Sequence, residues 1–392
     1  MKSLYGSDIV RNMPAYLFAH IQKKKQNLIE QGNDVIDLGI GAPDLPPPSY
    51  IIEELCKHTK DQQLHRYSSY QGIPELRKAV AHFYQKKYKV TLDPEKEVLI
   101  LIGSKEGIVH LIQSVVNPGD KVILPDPGYP VYKMGVHLVQ GKVVYLPLDN
   151  NNEYKPNWKM ISEQDKEEAK LLFLNYPNNP TGATAQKETF VKAVEMANKY
   201  DICIAHDAAY DHVTFANYKS SSLLQVEGAK KIGVELGSLS KNFNMTGWRI
   251  GYIVGNSSVI HSLATLKSNI DTSQFIPIQL AAKKALEQSE DEIRTIHQTM
   301  EQRMLKTWQL LKNAGFQVEK TKGTIFLWVK VPEGYTSSSF SEQVLDQAHV
   351  IVTPGSAFGK QGEGYFRIAL TVPEERLIEA VQRIDSWING GK

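Results

Sequence analysis

The chain has 392 residues, 42% hydrophobic and 22% charged, with a formal net charge of +2, enough material for a large core divided between two domains. With no basic run beyond Lys23, Lys24 and Lys25 it carries no electrostatic footprint for nucleic acid, and no stretch is apolar for long enough to span a membrane. Two cysteines, Cys56 and Cys203, cannot form a disulfide framework, and the N-terminus lacks the apolar run of a signal peptide, so the expected setting is the cytoplasm and the expected partners are small molecules.

Along the chain, short apolar runs that end in turn residues alternate with helical patterns, the signature of a mostly parallel α/β sheet. EVLILIG (97–103) leads into a helix through Ser104, and KVILPDPG (121–128) ends at Pro-Gly. AKLLFLNYPNNPTG (169–182) ends in a polar loop, and DICIAHDAAY (201–210) follows the helical pattern KETFVKAVEMANKY (187–200). Cys203 lies within that last apolar run and reads as a strand residue rather than a nucleophile. In such sheets ligands collect at the carboxyl ends of the strands, and Ser104, Tyr129, Asn179, Asp207 and Lys241 all fall there. From about residue 290 the pattern changes to a long charged helix (290–316), then a strand, GTIFLWVKVP (323–332), and a later one, YFRIAL (365–370). The expected division is an N-terminal arm with part of the small domain (1–44), a large domain (45–285) and a small α+β domain (286–392).

One tempting motif is set aside. GSAFGKQ (355–361) resembles a phosphate-binding P-loop, but its glycine spacing is one residue short and Gln361 stands where Ser or Thr must meet the metal. No G-x-G-x-x-G follows the early strands, no H-E-x-x-H occurs, and eleven histidines with two cysteines show no metal-ligand spacing, so neither a nicotinamide nor a zinc enzyme is expected.

SLSKNFNMTGWRIGY (238–252) is the least ordinary stretch. A lysine at a strand end, partly desolvated and near a second cation, has its ammonium form disfavoured, which frees the amine to condense with an aldehyde. Lys241 fits that role, with Arg249 and the hydroxyl of Ser238 placed to meet an anion such as a phosphate. The same residues also suit a solvated loop lysine and a surface ion pair; the rest of the chain decides.

The stretch resembles the cofactor-lysine signature of the class I/II aminotransferases, the aspartate-aminotransferase-like branch of fold-type-I pyridoxal-phosphate enzymes. Further similar segments follow across roughly residues 30–380: GAPDLPPP (41–48), YSSYQGIPELR (67–77), GSKEG (103–107), NNPTG (178–182), DAAY (207–210) and YFRIAL (365–370). The resemblance implies a large domain with a mostly parallel seven-stranded sheet between helices, a smaller α+β domain, a pyridoxal 5'-phosphate cofactor, and a homodimer with shared active sites.

It also implies roles. Lys241 is the cofactor lysine and general acid/base, Asp207 the carboxylate that keeps the cofactor ring nitrogen protonated, and Tyr210 the donor to its phenolic oxygen. Asn179 shares that oxygen and touches the substrate carboxylate; Tyr129 stacks on the ring in place of the family's usual tryptophan, with Ala209 on the other face. Ser104 and Lys105, at a helix start, hold the phosphate with Ser238 and Arg249. Tyr67 matches the tyrosine that reaches the neighbouring subunit's phosphate, with Tyr70 a rival. Arg367 and the backbone N–H of Gly41 bind the substrate α-carboxylate. The implied reaction is a ping-pong transfer of an amino group between an L-amino acid and a 2-oxo acid, coupled to glutamate and 2-oxoglutarate. A carbon–sulfur lyase of the same fold type shares most of these residues and stands as the alternative; a non-catalytic regulator would need a helix-turn-helix domain for which no room is expected. The substrate stays open between aspartate, methionine, alanine and diaminopimelate types. Lys105 is equally suited to reading an acidic side chain or to serving only through its backbone, and Tyr70 and Ile325 are candidate apolar walls.

Overall fold

The structure, a computed structural model, describes residues 5–13, 17–288 and 293–390. Its strands, in chain order, are β1 (Ile36–Asp37), β2 (Val98–Leu101), β3 (Lys121–Asp126), β4 (Lys142–Pro147), β5 (Ala169–Asn175), β6 (Cys203–Asp207), β7 (Gly233–Ser238) and β8 (Gly251–Gly255), then β9 (Phe326–Lys330), β10 (Val350–Ile351), β11 (Thr353–Pro354) and β12 (Tyr365–Ala369). Strands β2 to β8 form one seven-stranded sheet in the order β2-β8-β7-β6-β5-β3-β4, in which β8 runs antiparallel to both neighbours and the other pairs are parallel. This is the expected mostly parallel sheet. Val98–Leu101 is buried throughout and β5 nearly so, because a parallel sheet covered on both faces reads as continuous apolar runs rather than alternation.

The helix expected at 187–200 runs Lys187–Tyr200, buries Phe190, Ala193, Val194, Met196 and Ala197 at helical spacing, and ends with Asp201 in the left-handed region. The long charged helix runs Arg294–Asn313; the expected start at 290–292 lies outside the described residues. It packs with β9, β12 and the helix Glu374–Asn389 around a second core containing Met300, Met304, Phe326, Phe340, Phe366 and Leu377.

The N-terminal segment joins this second core. β1 pairs in parallel with β10, Asp44 takes a two-pronged ion pair from Arg303 at 2.7 and 2.9 Å, and Asp34 accepts from Arg376 and Arg383. The two guanidiniums hold the Asp34 carboxyl down at about 2. Among the described residues no helix is long and apolar enough to cross a membrane.

Candidate active site

The site is assembled where β3, β5, β6 and β7 end. β7 runs into the four-residue helix Leu239–Asn242, capped by Ser238, whose Oγ accepts the Ser240 N–H at 3.2 Å. That turn carries Lys241, whose Nζ donates to the Gly41 carbonyl at 2.6 Å. Burial, then the positive charges of Arg249 and Arg367, pull its pKa down to about 8. The amine is thus far easier to free than that of an ordinary lysine.

The anion end is built by backbone. Gly103, at φ +82, caps the helix Ser104–Val115, and any side chain there would collide with the Arg249 guanidinium. Glycine therefore lets Arg249 close onto a helix N-terminus, where unsatisfied N–H groups and the helix dipole favour an anion. Arg249 itself adopts φ +55 and donates from Nη1 to the Thr246 carbonyl at 2.9 Å. Glu106, an acid in the first turn of that helix, accepts the Ile102 N–H at 3.0 Å and the buried Lys267 ammonium at 2.6 Å. Lys267 also donates to Asp271 at 2.9 Å. Glu106, His110 and Asp271 offer ligand atoms within 4.8 Å of one another, and the lysine balances the charge of that cluster.

At the far end of β6, Asp207 is 4% exposed and accepts the Tyr132 hydroxyl at 2.8 Å and the Ala209 N–H at 3.2 Å. Burial pushes its carboxyl up, so a cationic partner in the cavity would be strongly favoured over an empty apolar wall. Tyr210 is buried edge-on against Phe326, with ring centroids 5.7 Å apart, and burial raises its hydroxyl. Asn175 donates to the Asp207 carbonyl and accepts the Asn179 N–H, both at 2.8 Å, which ties the 178–182 loop to β6.

Arg367, on β12, donates to Asn179 Oδ1 at 2.8 Å and to the Gly39 carbonyl at 2.6 Å. Its guanidinium carbon lies 4.0 Å from the Phe326 ring centroid and 4.8 Å from that of Phe358.

One cavity of about 840 Å³ is lined by Gly41, Ser104, Lys105, Tyr129, Asn179, Asp207, Ala209, Tyr210, Ser238, Lys241, Arg249 and Arg367. Of the candidate site residues singled out in the sequence, three stay outside it: Tyr67 is 89% and Tyr70 51% exposed, and neither they nor Ile325 line the cavity. Ile325 is 1% exposed and packs into the second core, so the apolar wall is its neighbour Phe326, the alternate residue of the strand segment. Tyr132 was missed, although its place one helical turn after Tyr129 puts both on one face. Asn175, Gly39 and Phe358 were missed because nothing local in the sequence marks them. Cys203 lies in β6 with its thiol pushed up to about 12 by burial, an inert group.

The set fits an aromatic aldehyde with a phosphate arm and a basic ring nitrogen: an easily freed amine, an anion cradle that a Cβ at residue 103 would fill, and a buried carboxylate with a raised pKa face one cavity. That fold and that set define a fold-type-I pyridoxal-phosphate enzyme. Residues 33–384 match the family aminotransferase class I and II, and the chain belongs to it: it is a pyridoxal-phosphate-dependent aminotransferase. It is 48% identical to an LL-diaminopimelate aminotransferase of Halothermothrix orenii over 97% of each chain. It is 46% identical to another of that name from Aquifex aeolicus, covering 96% of this chain and 98% of the relative. Among solved structures, substrate-bound BacF from Bacillus subtilis superposes with a TM-score of 0.94 at 36% identity, with 98% of each chain covered.

Proposed function

We propose that this aminotransferase moves an amino group between LL-diaminopimelate, or an amino acid of that type, and a 2-oxo acid, with glutamate and 2-oxoglutarate as the coupled pair. The observation that carries the reading is the likeness to relatives of that name at 43–48% identity over 96–97% of this chain. A cavity of about 840 Å³ supports it, since a substrate with two amino-acid ends needs room beyond Arg367. Lys105 lines that cavity and is the candidate for reading a distal carboxylate. The relatives do not favour the lyase alternative.

In this reading Arg367 forks onto the substrate α-carboxylate, with Asn179 and the Gly41 backbone beside it. Ser104, Lys105, Ser238 and Arg249 bind the cofactor phosphate, Tyr129 and Ala209 enclose the ring, and Asp207 holds the proton on the ring nitrogen. Tyr210 donates to the phenolic oxygen. Pyridoxal phosphate supplies the electron sink that acidifies the substrate Cα–H. Lys241 Nζ, whose lowered pKa makes its amine form accessible, would take that proton and return it to C4′ of the cofactor within the same half-reaction. The exposed Tyr67, with Tyr70 as rival, would complete the site of a second copy in a homodimer. The chain divides near residues 45 and 286, the N-terminal segment belonging with the small domain, and works in the cytoplasm, in keeping with two free cysteines.

The test is a donor panel at saturating cofactor, following release of each 2-oxo acid. LL-diaminopimelate with 2-oxoglutarate should give the highest kcat/KM; a clear preference for aspartate, methionine or alanine would overturn the substrate.

A further inference from the structure

The loop 355–361, whose glycines and lysine imitate a phosphate-binding sequence, turns its backbone toward a carboxylate of the chain itself. Asp126, the last residue of β3, is 4% exposed, and its Oδ1 accepts the Gln361 N–H at 3.1 Å; the Lys360 N–H bonds the same group. Gly359, at φ +131, lies so close that a Cβ there would overlap Asp126 Oδ1, so the loop can seat on this carboxylate only with glycine at that position. Two residues beyond Asp126, the Gly128 N–H donates to the Phe358 carbonyl at 2.8 Å. The end of β3 therefore grips the loop at two points, from Phe358 to Gln361.

Phe358 is the residue through which that grip reaches the site. It is 6% exposed, lines the cavity, packs edge-on against Trp328 at 6.0 Å, and presents its ring 4.8 Å from the Arg367 guanidinium carbon. Asp126 does not line the cavity. A guanidinium recognises a carboxylate by a planar two-pronged match, so a ring against it restricts how the fork can turn. A ring displaced with its loop loses that restriction.

We propose that Asp126 is a positioning residue for carboxylate recognition: by clamping the 355–361 loop to the end of β3 it sets Phe358 against Arg367, a role that rests on Arg367 being the α-carboxylate ligand. The grip acts on the feature common to every amino donor, so its loss affects donors alike whatever their side chains, and it leaves the phosphate end untouched.

The experiment measures KM and kcat for three donors of unlike side chain, at saturating cofactor, in Asp126→Ala, Asp126→Asn, Phe358→Leu and Arg367→Ala, together with cofactor affinity by absorbance. Asp126→Ala should raise KM for all three donors by a common factor of about ten, keep kcat within about threefold and leave cofactor affinity as in the wild type. Asp126→Asn, which keeps an acceptor oxygen for the Gln361 N–H, should recover most of that loss. Phe358→Leu should repeat the rise in KM with the clamp intact, and decides the matter if Asp126→Ala does not fold. An unchanged KM in Asp126→Ala and Phe358→Leu, or a loss confined to kcat, overturns the proposal. If Arg367→Ala raises KM and Asp126→Ala does not, the clamp alone is wrong; if Arg367→Ala leaves KM unchanged, the assignment of Arg367 itself fails.

Discussion

The two ends of the cavity are built in different ways. The anion end, around Ser104, Ser238 and Arg249, lies on one sheet, and its pieces are a glycine-capped helix start, a strand end and an arginine eleven residues along from Ser238. The carboxylate end gathers Gly39, Asn179, Phe326, Phe358 and Arg367 from five separate stretches of chain, joined by side-chain hydrogen bonds and ring contacts. A helix terminus needs little support to hold an anion, since its donors are fixed by the backbone. A guanidinium on a long side chain has to be aligned by whatever surrounds it. The anion end should therefore yield to change only where its own ligands are removed, whereas the carboxylate end should be sensitive to neighbours that never touch the substrate.

The largest effect is expected at Lys241, which serves both ends. Lys241→Ala should lower turnover by several orders of magnitude while the protein still holds cofactor, measured by single-turnover assay and absorbance. Arg249 and Arg367 then separate the ends. Arg367→Ala should raise the donor KM about 100-fold with cofactor affinity unchanged, and Arg249→Ala should weaken cofactor binding about 100-fold with the donor KM within about threefold at saturation. Both variants raising both constants equally would remove the distinction.

A smaller effect tests the charge between the ends. Tyr132 donates to the Asp207 carboxylate and so favours its ionised form. Tyr132→Phe removes that donor, raises the carboxyl further, and should shift the acid limb of the kcat profile to higher pH, with about a three- to tenfold loss near neutrality. An acid limb that stays in place would show that the tyrosine is only packing. On the amine, the depressed pKa means that cofactor-free protein should capture an added aldehyde at a rate that rises with pH through about 8 rather than near 10.5; removing the Arg249 charge should move that midpoint upward. The smallest effect is remote from both ends: Asp34→Asn breaks exposed pairs with Arg376 and Arg383 and should lower Tm by no more than about 2 °C.

The same contrast explains what the sequence disclosed. Ser104, Asp207, Ser238, Lys241 and Arg249 stand at strand ends or within short spacings, where apolar runs and turn residues mark the place, and together with the resemblance they carry the proposal of an anion end and a cofactor site. Strands β4 and β8 went unread although they complete the sheet, and β7 was read only as the strand end beside Lys241: β4 carries exposed and half-buried residues, and β7 and β8 contain glycines that weaken a strand pattern. Phe358, Gly39 and Asp126 matter through contacts across more than two hundred residues of chain, which no local pattern encodes. The loop 355–361 shows the limit most clearly, because a sequence similar to an anion-binding loop does bind an anion with its backbone, and the anion is a side chain of the same protein.

The central claim is that Lys241 is the amine that joins the cofactor. The most direct measurement is borohydride reduction of the holoenzyme followed by proteolysis and peptide mass spectrometry. The account predicts the cofactor fixed on the peptide that contains Lys241, with no labelling of Lys105 or Lys267 and none of the Lys241→Ala protein; cofactor fixed on another lysine, or on none, would contradict it.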